Sequence, residues 1–408
     1  MPNATCRLCG EVLSGRALLL RQMPVCNRFT AAPQALDRHD LSLQQCRRCQ
    51  LIQLGTALPV EAVRPRLPWI KYREPDAHLD AMVDRLLEQQ PGSRAASAFG
   101  VGPFDGPLLD RLERRGLRVS PLDVRPVRSR QSGCYPYLET WQLGLDAGHL
   151  AGIAKLHGTA DIVCCRYLLE HCHDPLGALR GLEHLLSEGG ELIIEVPDSA
   201  KFLAACDYSF LWEEHVSYFV EATLLHLSAK AGYEVVGFHR APGELEDALA
   251  VILRPAADEG GSGAMPDRAL EPELFLNYVA NLAPSRDLVR SWAAETTAPS
   301  GDGIALFGIG HQAVMFASAM GLCDHIAAVV DDDPDKLGYF PPGFKVPVVP
   351  SEMLLHDTKV RACLFAVAPR IEHKIRDRLA PLKERGVEFR SIFAGVPGSL
   401  LPGFSPCH

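Results

Sequence analysis

No stretch of the chain approaches the ~18 uncharged apolar residues that a membrane-spanning helix requires. The opening Met1-Pro2-Asn3-Ala4-Thr5-Cys6 has neither a basic start nor an apolar run, so no secretory signal is expected and the default compartment is the cytoplasm. A basic excess is also missing. Against 41 Lys and Arg stand 50 Asp and Glu, a net charge of −9, which gives no support to nucleic-acid or membrane-surface binding. Thirteen cysteines in 408 residues are too sparse for a disulfide scaffold. Internal repeats and long low-complexity tracts are absent as well. The composition is that of an ordinary soluble globular protein, long enough for two or three domains.

Four of the cysteines fall into pairs with metal-ligand spacing. Cys6-Arg7-Leu8-Cys9 and Cys46-Arg47-Arg48-Cys49 each leave two residues between thiols. Such a gap forms a tight knuckle that aims both thiolates at one ion, and two knuckles complete a tetrahedral zinc site. Arg7, Arg47 and Arg48 offset the negative charge of four thiolates. The long intervening segment contributes Cys26 and His39 as further candidate ligands. A closed four-thiolate site has no open position for water, so its expected role is folding rather than catalysis.

Beyond this module the pattern alternates between helical and strand periods. Glu74–Gln89 carries Leu79, Met82, Val83 and Leu86 at helical spacing, with Tyr72 just before it. A small apolar strand then runs into Gly100-Val101-Gly102-Pro103-Phe104-Asp105-Gly106, followed by a helix over Pro107–Arg115 and a strand over Leu117–Asp123. Strand, glycine turn, helix and a strand ending in an acid is how a Rossmann-like half holds a nucleoside. The turn does not fit GxGxxG. A strand ending near Arg166 and Tyr167 follows, then Glu170-His171-Cys172-His173-Asp174-Pro175, a helix over Leu176–Leu186, Gly189-Gly190 and the strand Glu191–Asp198.

Trp212-Glu213-Glu214-His215-Val216-Ser217-Tyr218-Phe219 sets two carboxylates, an imidazole and a phenol between aromatics. Polar groups in that setting are costly to bury unless partnered, which marks a working site. The competing interpretation is the start of an amphipathic helix with a structural histidine. A helix over Thr223–Gly232 and a strand over Tyr233–Phe238 lead to the glycine-rich stretch Ala256–Ala264, a surface loop or linker. Leu270–Thr296 is expected to be a long helix. Gly303–Ala313 and Ile326–Asp333 begin a second Rossmann-like unit, with Asp331 where a dinucleotide site would have its ribose-binding acid. Lys336–Gly338 and Pro341–Gly343 fit a loop over a domain interface, and Val360–Val367 is a further strand.

These motifs resemble one family along nearly the whole chain. The middle resembles class I S-adenosylmethionine methyltransferases. The whole chain is similar to the zinc-containing C-methyltransferases of deoxysugar and antibiotic biosynthesis, which act on nucleotide-linked 4-keto sugars. The carriers are the cysteine knuckles, Asn27-Arg28-Phe29, Tyr72, Asp105-Gly106, Glu170-His171, Glu214–Phe219 and the C-terminal Rossmann-like region.

The resemblance implies an α/β architecture in three parts: a zinc-binding module over 1–70, a methyltransferase domain over 71–255, and a Rossmann-like substrate-binding domain over 256–408. It implies S-adenosylmethionine and a structural zinc held by Cys6, Cys9, Cys46 and Cys49. His215 is then the catalytic base, Glu214 its orienting carboxylate, and His171 and Tyr72 donors to the enolate or sugar oxygens. The alternatives for His171 and Tyr72 are a packing role and a docking aromatic for the zinc module. Gly100, Gly102, Asp105, Asp123 and Arg166 are the candidate cofactor contacts. A small molecule, a nucleotide-linked sugar, is the expected partner, and the C-terminal domain cradles it without a separate NAD. Two departures stand out. Trp212 replaces the usual Tyr, and Gly100 replaces the acid that precedes the first glycine, which makes Asp123 the better candidate for the ribose. Two other readings are the same architecture on a non-sugar or oxygen acceptor, and a non-catalytic binding protein that keeps the fold.

Overall fold

In a computed structural model, residues 4–68, 74–88, 96–126, 138–257, 272–297 and 303–402 are described. Tyr72, a candidate donor, lies outside them. The strands in chain order are β1 (Ala17–Pro24), β2 (Arg38–Gln45), β3 (Ile52–Leu54), β4 (Ser97–Gly100) and β5 (Arg118–Pro121). They continue with β6 (Ala160–Arg166), β7 (Leu186–Asp198), β8 (Ser217–Tyr218), β9 (Tyr233–Ala241) and β10 (Asp247–Pro255). The last are β11 (Gly303–Phe307), β12 (Ile326–Val330), β13 (Val348–Val349), β14 (Val360–Phe365) and β15 (Glu388–Ser391).

The central sheet has the order β5-β4-β6-β7-β10-β9. Its inner strands read as continuous apolar runs because helices cover both faces, and Ile162 through Cys165 on β6 are fully buried. β4 lies parallel between β5 and β6, with Gly100 opposite Cys164, so the chain leaves β4 on one side and returns on the other. Ligands of open α/β sheets settle at such a reversal, outside the carboxyl ends of the strands. β10 pairs antiparallel with β7 and β9, which closes that edge as a hairpin. The third sheet, β13-β12-β11-β14-β15, is parallel throughout.

Several elements differ in extent from their sequence signals. The helix expected over Glu74–Gln89 begins at Leu79, and Pro175–Leu182 gives way to a tighter turn at Glu183. Trp212–Phe219 is not a helix start. It is a turn, closed where His215 N donates to Trp212 O at 3.2 Å, that runs into β8.

That strand joins parts of the chain far apart in sequence. The first sheet has the order β1-β2-β3-β8, with Ile52 opposite Tyr218 and Gln53 opposite Ser217. The N-terminal module is therefore completed by the segment that carries His215. One apolar cluster runs from Leu18, Leu20 and Leu43 through Tyr208 and Trp212 to Phe275, Phe316 and Phe393, and so joins the first and third sheets. A second runs from Leu8 and Leu51 to Val163, Ile194 and Phe219. Thr30 and Phe340 exchange backbone hydrogen bonds of 3.0 and 2.8 Å, which places the expected interface loop against the N-terminal module.

Gly308 follows β11 with φ of 86°, a backbone state open to glycine and strained for other residues. An added Cβ would also stand 2.5 Å from Val367 Cγ1. Gly308→Ala is expected to lower stability by about 2–4 kcal/mol from both causes. The measurement is the urea midpoint, and an unchanged midpoint would contradict this packing.

Candidate active site

Within Trp212–Phe219 every residue is buried except His215, which is half-buried. Both buried carboxylates take a donor on one oxygen. Cys26 N donates to Glu213 Oε1 at 2.6 Å, and Asn27 Nδ2 donates to Glu214 Oε1 at 2.8 Å. The Tyr218 hydroxyl accepts from Trp212 N at 2.9 Å and donates to Trp212 O at 3.0 Å, so this phenol locks the turn. Val216 N donates to Glu170 O at 2.8 Å, and that bond brings the Glu170-His171 turn alongside.

The result is a cluster of rings and one carboxylate. The His171 and His215 rings meet edge to face at 4.7 Å, and Trp212 lies 4.9 Å from His215. His311, from the first turn of helix His311–Met320, stacks on Trp212 at 4.2 Å and 18°. One donor atom each from Glu170, His171 and His215 lies within 4.8 Å of the others. The carboxylate grouped with the histidines is thus Glu170, whereas Glu214 is tied to Asn27.

Burial sets the protonation of these groups. It lowers His171 to about 3 and His311 to about 4, and it takes His215 well below the usual imidazole range, with His171 and His311 adding to the effect. Burial raises Glu170 well above the ordinary carboxylate range. The three imidazoles are therefore neutral at pH 7, and His215 has a lone pair free to take a proton.

The candidate cofactor residues cluster at the carboxyl ends of β4 and β6. Gly100 is dictated by packing, since a Cβ there would lie 2.8 Å from Asp105 Cβ and from Leu109 Cδ1. The buried Asp105 carboxylate turns inward, accepting from Gly102 N at 2.6 Å and from Arg166 N at 2.9 Å. Burial raises it to about 7. Arg166 likewise faces the interior. Its guanidinium bonds Glu195 at 2.6 Å, Phe104 O at 2.7 Å and Pro75 O at 2.8 Å. Both side chains thus make their recorded hydrogen bonds within the protein, behind the glycine turn. Asp123, just past β5, is partly exposed and takes Arg125 Nε at 2.8 Å and Nη2 at 2.7 Å. The turn and Asp123 thus lie together at the strand reversal, the place where open α/β sheets take their ligands.

The two cysteine knuckles face each other. Cys6 Sγ and Cys49 Sγ are 3.4 Å apart, Cys9 Sγ and Cys46 Sγ 3.5 Å, and one sulfur from each of the four lies within 4.8 Å of the rest. A tetrahedron of Zn–S bonds near ~2.3 Å places sulfurs at about 3.8 Å, so the four fit one ion. Each knuckle ends in a left-handed residue four positions after its first cysteine, Gly10 at φ 74° and Gln50 at φ 61°. Cys26 and His39 are outside this group, and Cys26 packs beside Glu213 instead.

In the third sheet Asp331 is saturated from within. Its Oδ2 accepts from Ile309 N at 2.9 Å and Lys336 Nζ at 2.8 Å, and its Oδ1 accepts from Asp333 N at 3.0 Å. The acid that spacing marks for a ribose holds its own loop.

Comparison with known proteins adds the following. A family model described as a methyltransferase domain matches residues 73–237, and one described as a C-methyltransferase C-terminal domain matches 268–393. The C-methyltransferase NovU of Streptomyces niveus is 25% identical over 378 residues, covering 85% of this chain and 86% of that protein. A ubiquinone biosynthesis O-methyltransferase of Sodalis glossinidius is 27% identical over 129 residues, covering 29% of this chain and about half, 49%, of that protein. Among solved structures, magnesium protoporphyrin IX methyltransferase from Synechocystis PCC 6803 with bound SAH aligns at a TM-score of 0.32 and 13% identity, over 44% of this chain and 83% of that one.

The buried histidines make a testable claim about acid. A histidine whose folded pKa lies below its unfolded value of 6.5 adds to stability above that value, and the contribution is lost progressively as pH falls toward the folded pKa. Buried carboxylates have the opposite sign, so the comparison is between two proteins. His311→Gln should flatten the loss of stability between pH 6.5 and 5, by up to about 1.4 kcal/mol per pH unit relative to the unsubstituted protein. Parallel thermal unfolding curves for the two proteins across this range would refute it.

Proposed function

Taking the chain as an S-adenosylmethionine-dependent methyltransferase, we propose that it methylates a carbon next to the keto group of a nucleotide-linked deoxysugar, with His215 as the base. The observation that carries the base is His215 itself, the one half-buried residue in an otherwise buried segment, neutral and set among further polar groups. Carbon as the acceptor atom is supported by the C-methyltransferase match over 268–393 and by the near full-length likeness to NovU. The keto-sugar acceptor rests on the resemblance of the motifs.

The bound cofactor supplies an electrophilic methyl group. The chain's own residues do the remainder. His215 accepts the proton α to the carbonyl, and a neutral imidazole can do so at pH 7 without first losing one of its own. His171 donates toward the oxygen on which the enolate charge develops, and Trp212 and His311 wall the site from water. Asn27 holds the Glu214 carboxylate and thereby the backbone on which His215 sits. Gly100, Gly102 and Asp123 border the cofactor site, with Asp105 and Arg166 behind the glycine turn. The C-terminal domain closes the acceptor side without a dinucleotide of its own, in keeping with the saturated Asp331. Zinc on Cys6, Cys9, Cys46 and Cys49 holds the N-terminal module to β8.

His215→Gln should bind S-adenosylhomocysteine as the unsubstituted protein does, yet lose methyl transfer by about 10²-fold or more. In the unsubstituted protein the α-carbon hydrogen of a nucleotide 4-keto sugar should exchange with deuterated solvent, and in the variant it should not. Exchange that persists in His215→Gln sinks the assignment of the base, while methylation at oxygen without any exchange sinks the carbon reading. Removal of zinc with a thiol-competent chelator should lower the unfolding temperature and abolish methyl transfer together, because the catalytic segment is a strand of the zinc-held sheet. Activity retained in metal-free protein would detach the module from the site.

A further inference from the structure

The atoms grouped around His215 have a property that proton transfer alone leaves unused. Glu170 Oε2 and His171 Nδ1 are both buried without a hydrogen-bond partner. Their residues are each 2% exposed. Buried polar atoms without a partner call for an explanation, and a bound ion is one of those available where, as here, they converge with a third donor. One donor atom from each of these residues, together with one from His215, lies within 4.8 Å of the other two. Two imidazoles and one carboxylate form the donor set that first-row divalent ions take in preference to magnesium or calcium, with positions left open on the metal.

We propose that Glu170, His171 and His215 bind a divalent first-row transition cation, at a site separate from the four cysteines, and that this cation switches the enzyme off. Coordination uses the lone pair of His215, the same pair that would take the proton from the acceptor. Metal and proton compete for one atom, so a metal-loaded site has no base. The surroundings suit a small ion. Trp212 packs at 5.7 Å from His171 and 4.9 Å from His215, and His311 stacks on it at 4.2 Å, so rings crowd the three donors. The Glu170 carbonyl is held by Val216 N at 2.8 Å, so the turn that carries two of the ligands is fixed to the segment that carries the third. The inhibitory clause rests on His215 being the base; the binding clause does not.

The experiment is a titration of the full-length, zinc-loaded protein with cobalt(II), followed by absorption spectroscopy and a methyl-transfer assay. One further equivalent of cobalt should bind and give weak visible bands without the strong near-ultraviolet charge transfer that thiolate ligands produce. Glu170→Gln and His171→Asn should each weaken that binding at least tenfold while retaining S-adenosylhomocysteine binding, which reports that they are folded. Methyl transfer should fall in proportion to cobalt bound and return when cobalt is removed by gel filtration. Absence of a further equivalent, retention of it in both variants, or thiolate charge transfer from displaced zinc would overturn the site. Cobalt bound at the site with methyl transfer intact would overturn the switch, and would also show that His215 is not the base. Loss of transfer in His215→Gln, together with no further cobalt bound by the unsubstituted protein, would leave the base standing and remove the metal site alone.

Discussion

The structure depends on the hydrogen bond that each of two carboxylates, buried side by side, takes from the N-terminal module. Glu213 and Glu214 sit where water cannot reach them, and each takes a donor from the loop at Cys26 and Asn27 at the end of β1. Those bonds span 187 residues of sequence. An unpaired carboxylate in that position would cost several kcal/mol, so the N-terminal module is bound to the Trp212–Phe219 segment by electrostatic need as well as by the β3–β8 pairing. The facing cysteine knuckles belong to that module, and the module holds the turn that presents His215.

The same segment is fixed from the opposite side. Asp207 Oδ2 accepts from Ala394 N at 2.8 Å, and Asp207 and Tyr208 exchange hydrogen bonds with Tyr278 on the long helix Pro272–Thr296. Residues from all three sheets therefore bear on fewer than about fifteen positions. Preorganisation of this kind is what a base and an oxyanion donor require, because donors that are already aimed need no rearrangement when charge develops. It also explains why a neutral histidine is tolerated there: the neighbouring rings exclude the water that would favour its charged form.

Much of this was legible in the sequence. Cys6, Cys9, Cys46 and Cys49 were marked by spacing, and the glycine turn, the Glu170-His171 turn and the Glu214-His215 segment by their places between strands. The direction of the side chains was not. Asp105 and Arg166 stand where cofactor contacts would stand, but their side chains turn inward, because Gly100 packs directly on the helix that Asp105 begins and the Asp105 carboxylate meets the turn's own N–H groups. The acid at Asp331 reads as a ribose ligand until Lys336 is seen to occupy it, and a five-residue loop closure has no periodic signature. His311 reaches Trp212 from a different sheet, and no local pattern reports a partner about a hundred residues away. The pairing of Glu170 rather than Glu214 with the two imidazoles is likewise a matter of which of two acids the fold turns toward them.

The exchange of backbone hydrogen bonds between Thr30 and Phe340 bears on how such a chain can be inherited. It stitches the first module to the last across the middle one, so the three sheets form a closed ring of contacts rather than beads on a string. Genetic recombination that trades one module for a cousin's would have to match two foreign surfaces at once, and drift in any one sheet is answered in the other two. In a chain built this way a change of a single ring at the centre, where Trp212 meets His171, His215 and His311, alters the site without disturbing the joints between parts.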